Sequence, residues 1–554
     1  MEHPVPSRPA KCDKIQPMRT VGVRLGLIAL FLSALLYAQR QDLRPDFSAT
    51  LQLTVRDSKT GEPAPARVYL FKNGRPFRLS PVDAMLPLRP DLFYRERLWR
   101  QTDRPRTLEV TAKDVSHFIL LGGEASFDLP AADDYRLEIY RGFAHEPQTV
   151  EFALSAEERR EIEVTLTALP GADNWIAADD HIHLMRAEED NETFLGWMEA
   201  EDLEVGNFLE LQRQQHAAVQ YAFGPDGAAR RGEYEIRSGH ESRSRFYGHT
   251  LLLGGEEMIR PLSIGKTYAN DDIAYPYPNI LFRRGREIGA LTGFAHFYGS
   301  QPNSTLLLNL VDGSLDFVEL FQFGKLHTED WYELLNAGFR VVGLAGSDFP
   351  ANIGQFEQWP RALPLLGPER ALVKAQAGES PYETWARGVR QGAVTLTNGP
   401  LLDFTINGAA MGETIDWQGD ARQVEGQATA TFHRPIETLE IIQNGKVIAR
   451  QAGDGKAKTL TVRLDAELTQ SAWIAARTTA LTKEGEPTIQ AHTNPIYFHK
   501  NAAPTQLPTA RESLRQRWNQ ELTYYQSNQL NFPSPAEQRS FTELVKATTS
   551  AIGR

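Results

Sequence analysis

The 554-residue sequence predicts an α/β domain, of barrel or sheet type, set between two β-sandwiches. Three observations predict it. Short alternating apolar runs fill residues 47–170, strand-like apolar runs alternate with amphipathic helices over 174–397, and short strands return over 398–503. The chain is too long for one compact core, at roughly 100 to 200 residues per domain. With 41% hydrophobic, 10% aromatic and 23% charged residues it has the composition of globular protein, neither disordered nor collagenous.

In the first segment Leu51, Leu53 and Val55, then Val68 and Leu70, alternate between turn clusters such as Asp57-Ser58-Lys59-Thr60-Gly61-Glu62-Pro63, the pattern of a small β-sandwich. In the middle segment Thr328 stands where a helix N-cap belongs. Glu329 and Asp330 follow in the first turn, Trp331, Leu334 and Leu335 recur at helical spacing, and Gly338 supplies a stop. A second helix starts at Ser380-Pro381 and turns Trp385 and Val389 inward. After Thr397-Asn398-Gly399-Pro400 come Phe404 and Ile406, Leu439 and Ile441, Val447, and Ala472-Trp473-Ile474, with Asn444-Gly445 as a hairpin signal. Residues 504–554 read as a helical tail in two stretches, around 514–525 and 534–552, that packs back on the body.

Near the N-terminus Arg19 and Arg24 precede a charge-free, mostly apolar run over 25–38 that ends in Ala38, the form of an export signal over 1–38. The run is shorter than the ~20 apolar residues of a membrane span, so the expected mature chain is periplasmic or extracellular with no span. Initiation at Met18 would give a short basic start and remove Cys12, the single cysteine, leaving no thiol as nucleophile or zinc ligand. The net charge of -12, without a basic stripe, argues against nucleic acid as a partner.

The residues with chemistry sit at the ends of apolar runs. Asp179-Asp180-His181-Ile182-His183 follows Trp175-Ile176-Ala177-Ala178, so His181 and His183, at i and i+2 of a strand end, face one side and can meet one cation. Asp179 is either a group that orients a histidine or a solvated strand-end acid. The runs 288–295 and 341–347 deliver His296 and Asp348. In α/β barrels such strand ends converge at one mouth, whereas either residue alone would read as a cap for loop amides. Glu241 and His249 lie in 238–249, outside any strong helix or strand pattern, and a carboxylate there can bridge two metals. His240 reads as a hydrogen-bonding or surface residue and His216 as a surface one. Lys325 and Arg361 follow apparent strands; each is either a holder of anionic substrate and developing negative charge or a surface cation.

Taken in order, these motifs resemble the PHP (polymerase and histidinol phosphatase) superfamily of metallohydrolases, and within it the CehA/McbA branch, whose namesakes hydrolyse the carbamate carbaryl. Asp179 to His183 matches the D-x-H-x-H opening, and Ala200-Glu201-Asp202-Leu203 resembles the helix after it. Glu241 with Gly248-His249 resembles the E…GH element, Ala295-His296 and Gly346-Ser347-Asp348 match the later motifs, and Thr397-Asn398-Gly399-Pro400-Leu401 resembles the exit from the barrel. The resemblance implies a distorted β/α barrel, with His181, His183, Glu241 and Asp348 around one metal and Glu241, His249 and His296 around a second. Two departures remove ligands for a third metal: Leu209-Glu210-Leu211-Gln212 stands where T-D-H is usual, and Phe349-Pro350 follows Asp348 where a histidine is usual. One or two divalent ions are therefore expected, zinc first and manganese or iron next. The expected activity is hydrolysis of a small-molecule ester, carbamate or phosphoester by metal-activated water. The alternative is a noncatalytic surface- or polymer-binding protein with a structural or decayed metal site. Specificity would lie in loops such as 220–237 and 268–278.

Overall fold

A computed structural model describes residues 47–78, 82–89, 96–113, 115–213, 216–297, 305–527 and 530–553; the export-signal segment and Cys12 lie outside them. In the first segment, strand Ala49–Asp57 alternates buried and part-exposed positions, as its apolar spacing dictates. Leu51, Leu53 and Val55 enter a core with Val68, Leu70 and Tyr135, closed between a four-stranded and an eight-stranded sheet. Asp57 Oδ1 accepts the amides of Lys59 and Thr60 at 2.8 and 3.0 Å and fixes the following turn.

The central segment carries seven strands side by side in chain order: β1 (Trp175–Ile182), β2 (Val205–Arg213), β3 (Tyr234–Ser244), β4 (Gly248–Leu253), β5 (Leu291–Phe294), β6 (Phe317–Gln322) and β7 (Gly343–Ala345). Helices α1 (Asn191–Ala200), α2 (Pro278–Glu287), α3 (Leu306–Asp312) and α4 (Thr328–Asn336) lie in four of the connections. The sheet is mixed rather than all parallel, because β4 runs antiparallel to both β3 and β5. The link from Ser244 to Gly248 is a tight turn, too short for the crossover that a parallel neighbour needs.

Among the described residues β7 and β1 share no ladder, so hydrogen-bonded strands do not close a barrel. A bridge between Ile182 and Phe349 spans the gap, with His183 N donating to Phe349 O and Phe349 N to His181 O at 2.6 and 3.1 Å. It sets the end of β1 beside the chain that leaves β7. On its other side β1 pairs antiparallel with β8 (Arg370–Lys374), and β8 pairs with β9 (Thr395–Thr397).

Helix α4 is entered one residue earlier than expected: His327 is its N-cap, and Thr328 is the first helical residue. Helix α5 (Pro381–Gln391) starts as its sequence requires, with Ser380 Oγ accepting Glu383 N in a capping box and Trp385 and Val389 fully buried.

The third region has its own core, in which Phe404, Ile406, Leu439, Ile441 and Ile474 meet between two layers. Its sheet is nevertheless continuous with the central one, because β9 pairs antiparallel with Ile489–Thr493. Asn444 and Gly445 both have left-handed φ, 51° and 84°, and form the hairpin turn there. Helices α6 (Pro508–Ser527) and α7 (Pro535–Gly553) return to the central domain, where Leu514, Trp518, Tyr525, Phe541 and Ile552 join its core. Among the described residues no helix is long and apolar enough to cross a membrane.

Candidate metal centre

All six ligand candidates converge. His181 lies in β1 and His183 just beyond it, Glu241 in β3 and His249 in β4, while His296 lies two residues past the end of β5 and Asp348 three past the end of β7. His296 and Asp348 both take left-handed φ, 52° and 48°, which non-glycine residues rarely adopt, and this turns each side chain off its strand end. No strong helix or strand pattern marks the sequence around Glu241, yet the segment is regular. Residues 234–253 form a β-hairpin, and β3 is polar yet almost wholly buried because its side chains face the centre and the loops covering it.

Two groups of donors form. His181 Nε2 is 3.0 Å from His183 Nε2 and 3.6 Å from Asp348 Oδ1, and His183 Nε2 is 3.1 Å from Glu241 Oε2 and 3.5 Å from Asp348 Oδ1. Donors bound about 2.0 to 2.2 Å from a tetrahedral zinc would stand roughly 3.3 to 3.6 Å from one another, so the first set has the right size. Glu241, His249 and His296 form the second group, with the other Glu241 oxygen, Oε1, 2.7 Å from His249 Nδ1. Glu241 thus presents one oxygen to each group, the geometry of a bridging carboxylate.

The tautomers lead to the same conclusion. His181 Nδ1 is 3.0 Å from Glu319 Oε1, and His183 Nδ1 is 3.2 Å from the Leu209 carbonyl. Both Nδ1 hydrogens are donated there, so two Nε2 atoms face each other and two carboxylates, an arrangement that calls for a cation among them.

Burial dominates the electrostatics. It lowers His181 and His249 to about 3 and His296 to about 4, which keeps these imidazoles neutral and able to ligate. Burial acts against His183 too, but the hydrogen bond and charge of Glu241 outweigh it and hold His183 above its ordinary value. Burial likewise pushes Glu241 up, yet the neighbouring His249 and Arg243 and the hydrogen bond from His183 bring it well below the usual carboxylate range. Asp348 is raised well above its usual value by burial, against the opposing charge of His183.

Asp179 does not reach a histidine ring. Its Oδ1 accepts the amides of His181 and Ser347 at 3.0 and 2.9 Å and its Oδ2 accepts Ser347 Oγ at 2.5 Å, so it ties β1 to the chain leaving β7. Among the described contacts neither Lys325 nor Arg361 touches a ligand candidate. Lys325 is exposed in a short hairpin beyond β6, and Arg361 is exposed, with its amide donating to Gly485 O in the third region. The cation beside the centre is instead Arg243, its Nε 3.3 Å from His249 Nε2 and 4.0 Å from Glu241 Oε1, with its guanidinium 5.0 Å from the centre of the Tyr268 ring. Tyr268 OH also stands 3.2 Å from His249 Nε2. His240 is buried with its ring edge-on to Phe223, as its place next to Glu241 on an alternating strand dictates; His216 pairs through its backbone with Arg213.

No family model and no curated protein matches this chain. Among solved structures it is similar to one described as an Endonuclease Q complex with a 27-mer duplex substrate carrying an abasic lesion at the active site. The identity is 12% and the TM-score 0.24, over 39% of this chain and 56% of that one, so the chain spans little more than half of that structure.

Proposed function

We propose that this chain is an exported metal-dependent hydrolase of the PHP type, CehA/McbA branch, acting on a small-molecule ester, carbamate or phosphoester. The observation that carries the reading is the pair of donor groups joined by Glu241, which turns one carboxylate oxygen toward each. A bound divalent cation, zinc first by its mixed imidazole and carboxylate donors and manganese or iron next, supplies the Lewis acidity that lets water act as nucleophile near neutral pH. The chain's own part is to hold neutral imidazoles ready, to keep Glu241 ionised between the groups, and to set the Arg243 guanidinium beside them, where it can hold an anionic substrate oxygen. Arg243 takes the role expected of Lys325 or Arg361. Export rests on the Arg19, Arg24 and 25–38 pattern.

Metal analysis of the purified protein, followed by a panel of aryl esters, carbamates and phosphoesters at defined metal occupancy, tests the reading. One or two ions per chain and turnover that is lost in His181→Ala are expected. Absence of restorable metal, or hydrolysis unchanged in His181→Ala, would overturn it.

A further inference from the structure

Strand β6 carries two polar side chains in an apolar run, Glu319 and Gln322 among Phe317, Val318, Leu320 and Phe321, and all six positions are buried. Regular alternation would put residues three apart on opposite faces. The β6–β7 register shifts between Glu319 and Phe321, and this irregularity turns both Glu319 and Gln322 toward the centre.

A carboxylate in such a place is costly unless donors surround it. Glu319 has three: Oε1 accepts His181 Nδ1 at 3.0 Å and Gln322 Nε2 at 2.9 Å, and Oε2 accepts the backbone amide of His296 at 2.7 Å. Because the Gln322 amide nitrogen is committed to Glu319, its Oε1 faces His296 Nδ1, at 2.5 Å, and must be the acceptor there. Space is kept for the carboxylate by Gly346, where a Cβ would fall 2.9 Å from Glu319 Oε1 and 1.8 Å from Asp180 Oδ1.

We propose that Glu319 and Gln322 are positioning residues that fix the tautomer and ring orientation of one histidine in each donor group, His181 directly and His296 through the Gln322 amide. The chain of hydrogen bonds runs from His296 Nδ1 to Gln322 Oε1, from Gln322 Nε2 to Glu319 Oε1, and from His181 Nδ1 to the same oxygen. Each ring is left with its Nε2 lone pair toward the ligand cluster. The link also holds the left-handed backbone at His296, whose amide would otherwise be buried without an acceptor. The proposal rests on the metal-centre reading for its consequence, though not for the tautomers themselves.

Glu319→Gln preserves volume but offers one acceptor oxygen to three donors, and Gln322→Leu breaks only the His296 branch. Imidazole nitrogen chemical shifts of the metal-free protein, assigned among its thirteen histidines by substitution, report the tautomers. Nδ1–H forms are expected for His181 and His296 in the wild type, with His296 changed in Gln322→Leu and both changed in Glu319→Gln. Zinc affinity, measured by competition with a chelator, should fall roughly 10- to 100-fold in each variant. A merely structural role would lower the melting temperature of the metal-free protein while leaving tautomers and affinity at wild-type values. That result would overturn the proposal, as would Nε2–H forms in the wild type. Wild-type protein that takes up no zinc would instead overturn the metal-centre reading, and the tautomers of metal-free protein would still decide this one.

Discussion

His183 Nε2 lies 3.1 Å from Glu241 Oε2 while its Nδ1 faces the Leu209 carbonyl at 3.2 Å, so this ring has an acceptor at both nitrogens. Without a metal, such a ring is stable as an imidazolium: the proton takes the place of the cation. Burial opposes that charge, and Glu241 more than restores it.

The consequence is a pH dependence with a definite sign. A histidine raised in the folded state lends stability that is present below its unfolded value, about 6.5, and lost as pH rises through the higher folded value. Metal-stripped protein should therefore lose more stability than metal-loaded protein on going from about pH 6 to about pH 8, because in the loaded form that ring is already occupied. Zinc affinity should rise over the same range, because binding must displace the proton. Thermal unfolding of both forms and a chelator competition at the two pH values check this; equal pH slopes for the two forms would count against it.

Gly346 packs against two acids rather than forming a turn. Burial raises both the Asp180 and the Glu319 carboxyls well above the usual carboxylate range, and the Glu319 charge raises Asp180 further. Gly346→Ala should drive a methyl group into this pair, at a cost of about 1 to 3 kcal/mol in chemical denaturation, and weaken metal binding together with it. Wild-type stability in this variant would mean the acids are not held where the structure has them.

Much of this centre was legible because strand ends leave a simple trace: an apolar run that stops at His181, His296 or Asp348. Glu319 and Gln322 left a weaker one, two polar residues inside an apolar run, and only the register shift opposite β7 makes them neighbours. The hairpin of β3 and β4 was hidden because a polar strand buried against a polar centre lacks hydrophobic alternation. The reversed direction of β4 and the pairing of β9 with Ile489–Thr493 are long-range choices that local pattern does not encode. The turn at Asn444-Gly445 and the helix start at Ser380-Pro381 were predicted because their chemistry is local.

The helical tail should stiffen one wall of the centre. Ala274 N donates to Asn531 O at 2.7 Å, Tyr247 OH donates to Ala274 O at 2.8 Å, and Phe541 packs tilted against Tyr247 and edge-on to Tyr277 at ring separations of 6.0 and 5.1 Å. These contacts anchor the loop that brings Tyr268 to His249. Phe541→Ala should cost about 3 to 5 kcal/mol and, under native conditions, speed amide hydrogen exchange over residues 265–277. Unchanged exchange there would show that the tail stabilises the domain without steadying this loop.

Tail docking should also weaken at high pH through Glu521. This side chain of α6 is 5% exposed, accepts the hydroxyl of Tyr525 and the backbone amides of Leu307 and Leu308, and is raised to about 8 by burial, which outweighs those hydrogen bonds. A carboxyl whose folded value lies above its unfolded value of about 4.3 binds its proton more tightly when folded. Its contribution is therefore complete below about pH 4.3 and is lost as pH rises toward 8, at up to about 1.4 kcal/mol per pH unit within that window. Glu521→Gln keeps a neutral side chain of the same size, so its stability should lack this component and exceed that of the wild type above about pH 8 by a few kcal/mol. Urea midpoints for both proteins across the window isolate the term, because every other titrating group is common to the two. A difference that grows with pH supports the assignment, and parallel curves would show that Glu521 is ionised where it is buried.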